Sequence, residues 1–225
     1  FNSEGKVEND ASIMRGNDLN AGASSGTSNV KNPITLAANI MNHSEHVFLS
    51  GKGAENFAKN RNLEIVNNEY FHTKFRYNQL LNKKGEDKYG TVGCVAIDVN
   101  GNIVAGTSTG GMTNKKWGRI GDSPIIGAGT YANNSTCGIS STGSGEYFIR
   151  TVAAYQVSSL LENHNYDLKK AMYKVIHEKI GGIGGDGGMI GIDKNSNISM
   201  EFNTPGMYRA YVNKYGEKEV LLYEK

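Results

Sequence analysis

The chemistry this chain could perform is carried by hydroxyls. Thr91 stands at a sharp junction between a polar, lysine-rich run, residues 82–89, and the apolar run Val92-Gly93-Cys94-Val95-Ala96-Ile97. Were the Gly90–Thr91 bond cut, Thr91 would carry both a hydroxyl nucleophile and its own α-amine. That amine has a reference pKa of about 7.7–8.0, so near neutral pH it can accept the hydroxyl proton. Downstream, Thr107-Ser108-Thr109-Gly110-Gly111-Met112-Thr113-Asn114 concentrates hydroxyls in one short stretch. In Gly118-Arg119-Ile120-Gly121-Asp122-Ser123-Pro124 a cation and an anion are framed by glycines. Such a pair can hold a zwitterion, the guanidinium taking a carboxylate and the carboxylate taking an ammonium. Ser141-Thr142-Gly143-Ser144-Gly145-Glu146 reads as a strand end that opens a helix, where free backbone N–H groups can face a developing oxyanion. Each stretch also has a plainer explanation. Threonines at strand ends follow from β-propensity, Arg119 and Asp122 from a surface salt bridge, and Thr142 or Ser144 from helix capping.

The elements that must position these residues follow from local pattern. Asn100-Gly101 is a strong hairpin signal between residues 92–99 and 103–109. Counting outward from that turn brings Thr91 near Thr109 or its neighbours across the strand pair. Upstream, Asp10-Ala11-Ser12-Ile13-Met14 is strand-like, and Asn32-Pro33 caps and opens a helix with Ile34, Leu36, Ala37, Ile40 and Met41 at helical spacing. Residues 46–49 read as a buried strand, and residues 54–59 and 68–81 as helices. Beyond the hairpin, residues 124–131 and 136–141 read as short strands. A long helix runs from about Gly145 to Glu162, with Glu146 and Arg150 as an i,i+4 ion pair, followed by a helix over residues 167–180. Strands at 189–192, 198–202, 207–212 and 220–223 close the chain. Hairpins dominate, which predicts an α+β fold with antiparallel sheets.

Composition narrows the function classes. A length of 225 residues fits one large domain, and 29 glycines with only 3 prolines imply tight turns rather than a disordered tract. The net charge of +2 is evenly spread, with 11 Lys/Arg and 10 Asp/Glu before Thr91, so nucleic-acid binding has no electrostatic footprint. No apolar run approaches the roughly 18 residues of a membrane span. Cys94 and Cys137 lie in apolar runs and read as small core residues. Gly182-Ile183-Gly184-Gly185-Asp186-Gly187 has the letters of a dinucleotide fingerprint but follows a helix and precedes a strand, the reverse of the required order. The histidines form neither a metal set nor a serine–histidine triad, so no metal is expected.

Taken together, the hydroxyl and clamp stretches resemble the plant-type asparaginase/isoaspartyl peptidase family of N-terminal nucleophile hydrolases. Gly127-Ala128-Gly129-Thr130-Tyr131-Ala132-Asn133-Asn134, Gly53-Ala54-Glu55-Asn56-Phe57-Ala58 and Phe202-Asn203-Thr204-Pro205-Gly206-Met207-Tyr208-Arg209-Ala210 extend the likeness over nearly the whole chain. The resemblance implies a four-layer αββα sandwich, made as a precursor that cuts itself between Gly90 and Thr91. Residues 1–90 would be the later part of an α subunit and residues 91–225 the β subunit, together forming one domain. By motif match Thr91 is the nucleophile and Thr109 its supporting hydroxyl. Arg119 and Asp122 bind the α-carboxylate and α-amine, and Thr142 with Gly143 forms the oxyanion hole. The implied substrates are L-asparagine and β-aspartyl dipeptides, with no catalytic cofactor. The implied assembly is a dimer of αβ heterodimers, with no nucleic-acid or membrane partner. The family's opening segment, carrying a Gly-Gly-Ala-Gly motif and a structural sodium loop, would lie ahead of Phe1, and the linker before Gly90 is shorter than in many relatives. Glycosylasparaginases of the superfamily typically place Asp before the threonine and Asn at the position of Gly110, so Gly90 and Gly110 point to the isoaspartyl branch. A glycosylasparaginase and a non-catalytic aspartate-binding relative are the alternatives.

Overall fold

The computed structural model describes residues 1–82 and 90–223. Residues 83–89 of the lysine-rich run, where the shortened linker was noted, lie outside the described residues. In chain order come β1 (Asn9–Arg15), β2 (Ala21–Thr27), α1 (Pro33–His43), β3 (Phe48–Ser50), α2 (Gly51–Asn60) and α3 (Lys74–Leu81). After Gly90 follow β4 (Thr91–Ile97), β5 (Ile103–Thr109), β6 (Thr130–Ala132), β7 (Cys137–Gly143), α4 (Gly145–Thr151), α5 (Ala153–His164) and α6 (Leu168–Tyr173). The chain ends in β8 (Gly187–Asp193), β9 (Ile198–Phe202) and the hairpin β10 (Arg209–Val212) and β11 (Lys218–Leu221).

Two sheets lie face to face. The first is five-stranded in the order β3-β2-β1-β5-β4, and the second four-stranded in the order β6-β7-β8-β9. Apolar burial explains the layering. Met14, Ala21, Ile103, Ala105 and Ala132 fill the space between the sheets. Leu36 and Ile40 of α1 and Ala54 and Ala58 of α2 cover the outer face of the first sheet. Phe148, Val157, Met172 and Ile176 belong to the cluster that covers the second. The result is the helix–sheet–sheet–helix arrangement expected of the family. The proposed cut falls inside it: β3-β2-β1 precede Gly90, yet they share one sheet with β5-β4.

Local signals explain most of these elements. Asn32 accepts the Thr35 N–H, and Pro33 occupies the first turn of α1. Asp98 accepts the N–H groups of Asn100 and Asn102, and Gly101 sits at φ +82°, which closes the β4–β5 turn.

Several expectations need correction. The helix over 145–162 breaks at Val152, whose φ is +50°. There the Ala154 and Tyr155 N–H groups bond the Ala128 and Gly127 carbonyls instead of continuing the helix. The helix over 68–81 is a single tight turn, Asn68–Phe71, followed by α3. The Asn68 side chain is held by Val7 and Ser28, and Thr73 caps α3 by accepting the Arg76 N–H. In the stretch 124–131 only its end joins a strand, β6. The strand at 46–49 is an exposed parallel edge, with Val47 53% and Phe48 43% exposed. Cys94 is exposed, unlike Cys137, because β4 is an edge strand with an open outer side.

Candidate active site

The hairpin brings the two threonines together. Thr91 begins β4, Thr109 ends β5, and they are direct partners in the antiparallel ladder. The Thr91 hydroxyl donates to Thr109 Oγ1 at 3.3 Å, and the Gly111 N–H donates to the same oxygen at 3.0 Å. The threonine contact is long for an O–H···O bond. A small cleft is lined by Gly90, Thr91, Thr109, Arg119, Asp122 and Gly143, among others.

Asp122 is 4% exposed, and its Oδ2 has no hydrogen-bond partner among the described residues. Burial raises its pKa to about 7, against the opposing pull of the nearby Arg119 charge. A buried carboxylate with an unused acceptor is suited to an incoming ammonium, which would satisfy that oxygen and add to the counter-charge that Arg119 supplies in part.

Arg119 is held by Glu146. Its Nε and Nη2 donate to Glu146 Oε1 and Oε2, both at 2.8 Å. This pairing raises the Arg119 pKa and lowers that of Glu146. The ion pair expected between Glu146 and Arg150 is replaced by this one. Arg150 instead lies over the Tyr147 ring. A guanidinium offers two edges to carboxylates. Glu146 takes the Nε/Nη2 edge, which leaves the Nη1 side for a second carboxylate. The start of α4 reaches both groups only because residue 145 is glycine. A Cβ there would lie 2.8 Å from the Asp122 N and Oδ1 and 3.0 Å from Arg119 Nη2.

Thr142 and Gly143 close β7, opposite Gly188 and Gly187 of β8. Gly143 has φ +146°, and a Cβ there would lie 2.4 Å from the Asp186 carbonyl. Glycine is therefore required by both conformation and space. Gly143 lines the cleft, whereas Thr142 is half-buried beside it and is not part of that lining. Ser144 is tied to Asp186 through both backbone and side chain.

The site residues read from the sequence thus converge, with Thr142 at the margin. Sequence reading missed the Glu146 hold on Arg119 and the Gly111 N–H on Thr109. The Gly-Gly pair after Thr109 was the available signal for the second, since a backbone donor there needs a turn. A much larger groove of 1040 Å³ lies elsewhere, between β4, the β8–β9 strands and the β10–β11 hairpin. It does not include the paired threonines or the Arg119 and Asp122 groups, so size alone does not mark the site.

A sequence model described as asparaginase matches residues 1–222. The isoaspartyl peptidase of Escherichia coli K12 is 46% identical over 226 residues, 94% of this chain and 70% of the relative. The isoaspartyl peptidase of Salmonella typhimurium is also 46% identical, over 94% of this chain and 72% of the relative. The isoaspartyl peptidase/L-asparaginase of Xenopus laevis is 35% identical over 94% of this chain and 71% of the relative.

Proposed function

This chain belongs to the asparaginase family, and from that premise we propose that it hydrolyses L-asparagine and β-aspartyl dipeptides with Thr91 as nucleophile. The observation that carries the reading is the Thr91–Thr109 hydroxyl pair beside a buried Asp122 carboxylate whose Oδ2 has no hydrogen-bond partner among the described residues. The names of the relatives supply the substrate class. Asp122 takes the substrate's α-ammonium, and the open side of Arg119 takes its α-carboxylate. These two contacts aim the side-chain carbonyl at Thr91.

The steps follow from acyl-transfer chemistry. Once Thr91 has a free α-amine, that amine accepts the hydroxyl proton as Oγ attacks the carbonyl carbon. The negative charge that develops on the carbonyl oxygen is met by donors at Thr142 and Gly143. The C–N bond breaks, and the leaving nitrogen takes a proton to depart as ammonia or as the next residue's α-amine. Water then attacks the β-aspartyl ester, which frees aspartate and restores the Thr91 hydroxyl. Before the Gly90–Thr91 bond is cut the Thr91 nitrogen is an amide and cannot serve as base. Self-cleavage by the same hydroxyl completes the site. Because β3-β2-β1 and β5-β4 share one sheet, the two pieces stay joined by ladder hydrogen bonds as an αβ pair; a dimer of such pairs is the assembly the family resemblance implies.

The test is direct. Processed protein incubated with asparagine or β-Asp-Leu should release aspartate, with ammonia or leucine respectively. No turnover of either substrate by a cleaved sample would refute the proposal, and activity confined to N-acetylglucosaminyl-asparagine would reassign it to glycosylasparagine chemistry.

Arg119→Lys keeps the charge but loses the planar fork that serves two carboxylates at once. Losing charge-assisted bonds of about 1.5–3 kcal/mol predicts a roughly tenfold to hundredfold fall in kcat/KM for asparagine. Steady-state kinetics on the purified variant check this, and an unchanged kcat/KM would remove Arg119 from substrate binding.

A further inference from the structure

Lys115 is a buried cation that the proposed reaction leaves unused. Its side chain is 1% exposed, and its Nζ lies 3.3 Å from Glu8 Oε2 and 3.9 Å from Asp10 Oδ2. It also reaches the Glu8 carbonyl at 3.5 Å. Asp10 is fully buried, and its Oδ1 accepts the Gly26 N–H at 2.8 Å. Burial raises the Asp10 pKa, with the Lys115 charge acting against that rise. Charges buried this deeply are costly unless paired, so removing one partner strands the others.

The location of this cluster gives it a role. Asp10 on β1 is the direct ladder partner of Thr109 on β5. The lysine stem lies against Gly111, where a Cβ would fall 3.0 Å from Lys115 Cδ and 3.1 Å from Nζ. Gly111 is the residue whose N–H donates to the Thr109 hydroxyl. The lysine backbone is also held, with its carbonyl accepting the Ser3 N–H at 2.9 Å. Asp10 on β1 and Glu8 just ahead of that strand therefore anchor the far end of a side chain whose stem supports the turn carrying that donor.

We propose that Lys115 is a positioning residue. Clamped by Glu8 and Asp10, it holds the Gly111 N–H on Thr109 Oγ1 and so keeps the Thr109 hydroxyl aimed at Thr91. The catalytic part of this inference rests on Thr109 supporting Thr91 in the reaction proposed above.

The test separates the clamp from the chemistry. Lys115→Met keeps most of the stem and removes the charge, Lys115→Arg keeps the charge, and Glu8→Gln weakens the clamp if the methionine variant folds poorly. Amide hydrogen exchange in the intact protein reads the clamp itself. The Gly111 amide should exchange about tenfold faster or more in Lys115→Met, and faster to a smaller degree in Glu8→Gln, while amides of β7 and β8 keep their protection. Lys115→Arg should restore much of the Gly111 protection. For catalysis, kcat should fall about tenfold with KM for asparagine unchanged. Adding Lys115→Met to Thr109→Ala should then cost little more, because residues acting through one group are not additive. Unchanged Gly111 exchange in folded Lys115→Met and in Glu8→Gln overturns the proposal whatever the activity. Additive losses in the double variant overturn its catalytic part. If the parent protein turns over neither substrate, the reaction falls, and the exchange result still decides the clamp.

Discussion

Thr91→Ala should yield one uncut chain with no measurable hydrolysis of asparagine or β-aspartyl dipeptides. The same hydroxyl serves twice in the proposed scheme, first on the Gly90 carbonyl and then on the substrate. Loss of the nucleophile in hydrolases that work through a covalent acyl intermediate costs on the order of 10⁶ in kcat. The effect should be larger than for any other single change, because the alanine variant also never exposes the α-amine that acts as base. Thr91→Ser should still cut itself and turn over substrate, more slowly, since the chemistry needs only a β-hydroxyl. Thr91 is only half-buried, so neither change removes much packing, and both proteins should fold. A time course on a denaturing gel beside an ammonia assay gives the answer. Cleavage at Gly90 in the alanine variant would mean that another protease does the cutting, and the single-nucleophile account would fail.

Asp122→Asn should damage activity and improve stability, opposite signs from one substitution. Asparagine at this buried site offers the substrate ammonium no charge. Truncating one partner of a buried, hydrogen-bonded charge pair costs about 2–5 kcal/mol, a roughly 30-fold to several-thousand-fold loss in kcat/KM. The stability effect follows from the raised pKa. The group titrates near 3.8 in an ordinary setting and at about 7 in the fold, so the fold favours the protonated, neutral carboxyl. That favourable contribution is complete below about pH 3.8 and is lost as pH rises to 7, where the carboxylate must ionise against a burial cost that the nearby Arg119 charge only partly offsets. An asparagine is neutral at every pH. The variant should therefore melt above the parent at pH 8, and the gap should narrow toward pH 5. For the parent, KM should rise as pH drops below 7, because only the ionised carboxylate offers an ammonium its counter-charge. Thermal melts at the two pH values and a pH series of asparagine kinetics test both halves. An unchanged kcat/KM would remove Asp122 from the site, and a pH-independent melting gap would deny the raised pKa.

Residue types and close spacing in the sequence determined the chemistry that could be read here. Thr91 and Thr109 could be placed opposite each other because an antiparallel hairpin pairs residues one to one outward from its turn, and Asn100-Gly101 marks that turn. The α1 boundary was legible for the same kind of reason, since its cap bond from Asn32 to Thr35 spans three residues. The cation and anion at Arg119 and Asp122 were visible as a pair, but not which group each would meet. Only the tertiary structure set Glu146 on Arg119, 27 positions away, in place of the helical neighbour Arg150. It also broke the helix at Val152, where the Ala128 and Gly127 carbonyls offered partners that no local pattern announces. It exposed Cys94 by leaving β4 at a sheet edge, and it buried Asp122 deeply enough to move its pKa to about 7. Each of these depends on which distant backbone or charge lies across a packed interface. Periodicity and propensity describe a segment against itself and water, so they carry no information about that neighbour.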